Sequence, residues 1–241
     1  MSVDDKGWII MTDRLLKNNK IKAMVFDMDG TLLDTEHQYI EGYLKLAQER
    51  GLNMDKKFPY TCMGLPREMV RKRYRDTFGA DFDFDFDGFR AEMINRVHTL
   101  WQNEGIAVKP GVAEFLDYCD NNGILCAVAT STTRESAEMM LKTTNLFDRF
   151  GAVVCGDEIE NGKPNPDIFI AAAKRLGVNP RDCGGAEDSR SGITAVHRAE
   201  MTAFFVIDTL NADDEIKTTA DFVCADMFEV MNLVDKINKN I

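Results

Sequence analysis

The chain has 241 residues, room for one large domain or two smaller ones around a substantial core. Apolar residues make up 44% and charged residues 29%, ordinary for a globular protein, while the formal net charge is −11. That excess of acid argues against nucleic acid or an anionic membrane as the main partner, since either needs a basic face.

Residues 1–20 open with acid, and their apolar run WIIM is far too short for a signal segment or a membrane span; they read as an N-terminal extension. IKAMVF (21–26) reads as a buried strand. A helix is expected from Thr35 to about Arg50, where Thr35 and Gln38 have capping-box spacing and Gly51 closes the segment. To about Glu104 the patterns PREMVRKRYRDTF and FRAEMINRVHTLWQN are amphipathic and helical, with no convincing buried strand. A helix VAEFLDYCDNNG, a strand ILCAVA (124–129), a helix from about Thr132 to Thr144 and a strand AVVC (152–155) follow. Next is a helix PDIFIAAAKRLG, with Asn165 as N-cap and Pro166 at its first position. CGGAE (183–187) reads as a weak strand, GITAVHRAE as a helix, and TAFFVI (202–207) and DFVCA (221–225) as strands.

Strands alternating with helices predict an α/β fold: a doubly wound, Rossmann-like parallel-sheet core. The all-helical block breaks that alternation after a single strand, so it reads as an inserted helical cap. The expected division is 1–20 extension, 21–34 with 106–241 core, and 35–105 cap. The six cysteines are scattered, without a C-x-x-C pair, and most lie in apolar runs; free thiols in a reduced cytoplasm are expected.

In an open parallel sheet ligands gather at the carboxyl ends of the strands. Asp27 and Asp29 follow the first strand, Thr130 and Ser131 the second, Lys163 lies in the loop after AVVC, and Glu187 and Asp188 follow CGG. A strand-terminal D-x-D-G-T is also ordinary turn chemistry, and carboxylates are favoured at helix N-termini. The stretch DFDFDFDG (81–88) suggests a calcium loop, but with Asp83 at position one the twelfth position is Ile94, where a bidentate Glu is required. It reads instead as a connection that packs its Phe side chains and leaves its carboxylates wet.

FDMDGTLLD, VATST, GKPNPDIF and EDSRSGI resemble the four ordered motifs of the haloacid dehalogenase superfamily, in the subgroup with a helical cap between motifs one and two. That subgroup includes small-molecule phosphatases and β-phosphoglucomutase, and the resemblance covers the chain after residue 20. CGG is less apolar than such a motif usually shows. The resemblance implies phosphoryl transfer, with Asp27 as nucleophile and Asp29 as acid and then base. It implies Mg²⁺ on the Asp27 carboxylate, the Asp29 carbonyl and Asp188, with Glu187 as a direct or water-mediated ligand. Lys163 would pair with Asp27 and the transferring oxygens, which Thr130, with Ser131 beside it, would also bind. Asp157 and Asp167 read as loop and cap residues, and His98 and His197 as structural or exposed.

The expected activity is hydrolysis of a small phosphate monoester, a sugar phosphate or similar metabolite, with no nucleic-acid or membrane partner and a monomeric or weakly dimeric state. Asp29 sets the chain apart from dehalogenases and phosphonatases of the superfamily, which carry no aspartate there. A phosphosugar mutase is the alternative: GLPR (64–67) matches the spacing of the mutase cap loop, so Arg67 is a candidate for a substrate's distal anionic group. Against it, the mutase histidine five residues beyond Asp34 is Tyr39 here, and His37 is three beyond. A phospho-acceptor signalling receiver shares some of these residue types, but it is about half this length and lacks the cap.

Overall fold

The computed structural model describes residues 20–62, 67–78 and 85–239. The N-terminal extension up to residue 19, positions 64–66 of GLPR and positions 81–84 of the Asp/Phe alternation lie outside the described residues.

Short apolar runs form six parallel strands: β1 (Ala23–Phe26), β2 (Leu125–Thr130), β3 (Ala152–Cys155), β4 (Cys183–Glu187), β5 (Thr202–Val206) and β6 (Phe222–Cys224). Their order is β3-β2-β1-β4-β5-β6. The helices among the described residues are α1 (Thr35–Glu49), α2 (Arg67–Phe78), α3 (Phe86–Glu104), α4 (Val112–Asn122), α5 (Arg134–Thr143), α6 (Asp167–Leu176), α7 (Arg190–Arg198), α8 (Asp214–Thr219) and α9 (Met227–Lys239). None is long and apolar enough to cross a membrane.

Side chains alternate across a strand, so β1 offers Ala23 and Val25 to one layer and Met24 and Phe26 to the other. The first layer holds Ile168 and Phe169 of α6, Ile193 and Val196 of α7 and Ile216 of α8. On the opposite face Phe26 meets Phe115 of α4, ring centroids 5.6 Å apart, and α9 packs on β5 and β6. Helices therefore cover both faces, the doubly wound arrangement in which a strand can be apolar throughout.

The weakest strand in the sequence, CGGAE, is fully buried. A Cβ at Gly184 would stand 2.5 Å from the Met24 sulfur, and one at Gly185 would stand 2.6 Å from Val196. The two glycines leave room for bulky neighbours on either face, which is why the segment reads less apolar than its position.

The chain divides into two compact units, one running to Asp34 and resuming at Ala107, the other Thr35–Ile106. In the first, the backbone closes where the second departs: Asp34 N donates to Ala107 O and Lys109 N to Leu32 O, both at 2.9 Å. The second unit is helical, with α1 packed on α3. Its interior combines aliphatic side chains with a run of aromatic rings. Phe58 meets Tyr74 at 4.9 Å and Tyr39 meets Trp101 at 5.1 Å between centroids, and Trp101 is wholly buried.

Several boundaries differ from the sequence expectation. The Gln38 side chain accepts from the Trp101 indole, and Thr35 is the first residue of α1, so tertiary contact takes the place of a capping box. Helix α3 starts at Phe86, inside the Asp/Phe alternation. Asp85 caps it by accepting from Gly88 N (2.9 Å), Phe86 is buried, and Asp87 pairs with Arg67 and Arg71. The packing role holds for Phe86, but these two carboxylates are engaged rather than simply wet. Pro166, not Asn165, is the N-cap of α6, and the Asn165 side-chain amide donates to Gly162 O at 3.1 Å. Helices α8 and α9 were not anticipated. All six cysteines are free, and five are buried.

Candidate active site

The strand order reverses between β1 and β4, and open α/β sheets bind ligands at the carboxyl ends of the strands at such a point. Asp27, one residue beyond β1, donates its backbone N–H to Ala186 O of β4 at 2.9 Å. Lys163, from the loop between β3 and α6, donates to Asp27 Oδ1 and to Glu187 Oε1 (2.9 Å). The three side chains are 9% exposed or less. The ammonium also lies 5.0 Å from the centroid of the Phe169 ring.

Burial pushes the Asp27 carboxyl up to about 8; Lys163 opposes this, while the charges of Glu187 and Asp29 add to it. Burial works to lower the Lys163 pKa, but Asp27 and Glu187 outweigh it and hold the ammonium above lysine's ordinary value. Glu187 Oε2 accepts from Ser189 N, so both of its oxygens are engaged.

Beyond Asp27 the chain turns sharply. Gly30 has φ +84°, and a Cβ there would stand 2.4 Å from Asp188 Oδ2. That close approach lets the buried Thr31 hydroxyl donate to Asp188 Oδ1 at 2.7 Å. The first and fourth motifs are thereby joined directly.

Asp29 is tied to the second motif. Its Oδ2 accepts from Thr132 Oγ1 at 2.8 Å and from Thr130 Oγ1 at 3.3 Å, and Thr130 Oγ1 in turn accepts from Thr132 N at 3.0 Å. Thr132 was missed in the sequence. The signal was the T-x-T spacing at a strand end, where alternate residues project the same way. Ser131, between them, is exposed. Behind the loop, Asp157 accepts from Arg134 N (3.1 Å), and the Arg134 guanidinium bonds Glu158 and Val153 O (2.6 Å). These contacts fix Thr130–Thr132 against the loop that leads to Lys163.

Arg67 begins α2 and forms an exposed pair with Asp87 (2.9 Å). In the same helical unit, His98 Nε2 is 3.2 Å from the Tyr39 hydroxyl and its ring stacks on Trp101. His197 is exposed on α7, and Asp167 accepts from Asn161 Nδ2.

Lys163 thus joins Asp27 and Glu187, the charge of Asp29 acts on the Asp27 carboxyl, and Asp188 is tied through Thr31 to the turn that follows Asp27. The set offers only hard oxygen donors and is short of positive charge, which suits a divalent cation such as Mg²⁺.

Known proteins agree with this architecture. A phosphorylated carbohydrates phosphatase of Thermotoga maritima is 28% identical over 218 residues, 90% of this chain and 100% of that protein. The (DL)-glycerol-3-phosphatase 1, mitochondrial, of Arabidopsis thaliana is 30% identical over 215 residues, 87% of this chain and 71% of that protein. The crystal structure of a β-phosphoglucomutase from Clostridium difficile matches with a TM-score of 0.70 at 26% identity, covering 91% of this chain and 98% of that one. The profile of the haloacid dehalogenase-like hydrolases matches residues 24–206, and the chain belongs to that family.

Proposed function

We propose that the chain is a Mg²⁺-dependent phosphatase that cleaves a small phosphate monoester, such as a phosphorylated sugar, through an aspartyl-phosphate on Asp27. The observation that carries this reading is the pairing of Lys163 with Asp27 at the same strand end where two threonines tether Asp29. An Asp27 oxygen attacks phosphorus as the bond to the leaving oxygen breaks, and the Asp29 carboxyl gives that oxygen its proton. The Asp29 carboxylate then takes a proton from water, whose oxygen attacks the aspartyl-phosphate and releases phosphate and Asp27.

Lys163 and the Thr130 hydroxyl stabilise charge on the transferring oxygens. The Asp27 carboxylate, the Asp29 carbonyl and Asp188 would hold the cation. Glu187, with Lys163 on one oxygen and Ser189 N on the other, orients the lysine. Bound Mg²⁺ supplies the positive charge that keeps Asp27 ionised beside an anionic substrate.

The test is turnover of p-nitrophenyl phosphate with MgCl₂ by wild type and Asp27→Asn. Wild-type turnover in the variant overturns the nucleophile assignment. The likeness to a β-phosphoglucomutase keeps a phosphosugar mutase as the second reading. Conversion of β-glucose 1-phosphate to glucose 6-phosphate with a bisphosphate primer would support it, and free phosphate without isomerised product would exclude it.

A further inference from the structure

Asp208 lies just beyond β5, at the same edge of the sheet as Asp27 and Asp188. Its side chain is 3% exposed, and Oδ1 accepts from the Lys109 ammonium. The other oxygen, Oδ2, is buried with no hydrogen-bond partner among the described residues. A buried carboxylate oxygen without a donor is costly, and native structures rarely leave one so.

The surroundings sharpen the point. A carboxylate oxygen of Asp208 lies within 4.8 Å of one of Asp188, and likewise of one of Asp34. Lys109, 3.9 Å from Asp34, is the ammonium paired with both Asp34 and Asp208. Asp34 and Asp208 thus share one ammonium, and Asp208 stands beside Asp188, the residue assigned to the cation. Mg²⁺ keeps several of its waters, each a strong donor, and outer carboxylates that accept from such waters tune affinity.

We propose that Asp208 accepts, through Oδ2, a hydrogen bond from a water retained by the cation that Asp188 binds, and so sets the affinity of the site for divalent metal. The inference rests on the reading of Asp188 as a ligand. Lys109 is the counterweight: it pairs with Asp208 and Asp34 and subtracts negative charge from the cluster.

The experiment measures the rise of the thermal unfolding midpoint with added MgCl₂, starting from EDTA-treated protein, which yields an apparent Kd independent of turnover. Asp208→Asn is expected to weaken Mg²⁺ binding about tenfold. Lys109→Met, which removes a positive charge near the site, is expected to leave binding equal or tighter. Unchanged Mg²⁺ affinity in Asp208→Asn overturns the proposal. So does an equal loss in both variants, because Asp208 would then serve only to hold Lys109. If Asp208→Asn does not fold, Lys109→Met alone decides, and weaker binding overturns the proposal. Asp188→Asn separates the two levels: if it keeps wild-type Mg²⁺ affinity, the cation-site reading itself fails.

Discussion

Both units carry exposed ion pairs, but among the described residues only the sheet-containing unit also buries charge. In the sheet-containing unit, Lys163, Asp27 and Glu187 are buried together, and Asp188 and Asp208 are buried beside the same edge. In the helical unit the pairs Arg50–Glu92, Lys72–Asp76 and Arg67–Asp87 lie at the surface, and the interior combines aromatic rings with aliphatic side chains. Taking ions out of water is expensive, and a buried pair often adds no net stability. The first unit therefore carries a burden that packing alone would not select, confined to the ends of its strands. The second is held by dispersion and burial, and its ions contribute little.

Four measurements can break or sharpen that contrast. The largest effect is expected for Asp27→Asn, with kcat toward p-nitrophenyl phosphate down by more than about a thousandfold. The thermal midpoint should stay level or rise, because the variant removes a carboxylate that burial disfavours. A large fall in the midpoint would mean that the ionic cluster holds the fold together. Trp101→Ala should cost about 3–5 kcal/mol in the helical unit. Hydrogen exchange should then show lost protection in α1 and α3, with β1 and β4 amides unchanged; equal loss in both would erase the contrast.

Thr132→Val should slow alkyl phosphates about ten- to a hundredfold, since they depend on a well-placed Asp29 proton, yet leave p-nitrophenyl phosphate within about twofold. Equal slowing of both substrates would reduce Thr132 to a structural role. The smallest effect concerns exposed charge. A hydrogen bond from Arg190, with another from Ile216 N, holds the Asp213 carboxyl down at about 2, from an ordinary 3.8. A folded-state value below the unfolded one adds stability that is complete above the ordinary value and is lost as pH falls toward the lower one. The difference in melting temperature between wild type and Asp213→Asn should therefore be small above pH 4 and vanish near pH 2.

Much of the sheet was legible because buried parallel strands are short apolar runs, and MVF running into Asp27 is such a run. The four clusters could be collected at one edge because parallel strands all end on the same side. What escaped was set by contacts distant in sequence. Nothing local to Asp208 points to Lys109, which stands in the segment returning from the helical unit. Gln38 kept its capping spacing but spent its carbonyl on Trp101. Helix α9 was legible and overlooked: Met227, Val230, Leu233 and Val234 lie at helical spacing and are buried. Thr132 needed only the T-x-T pattern to be taken seriously at both ends.

The paired backbone bonds at Asp34 and Lys109 have a consequence for how such a chain can change. The path of the core is already closed across them, so the excursion between is a detachable loop in the topological sense, however long it is. Selection can lengthen, shorten or rewrite that excursion without retuning the spacing of the reacting groups. The fold of the sheet-containing unit and the length of the inserted segment then become separable traits of one polypeptide.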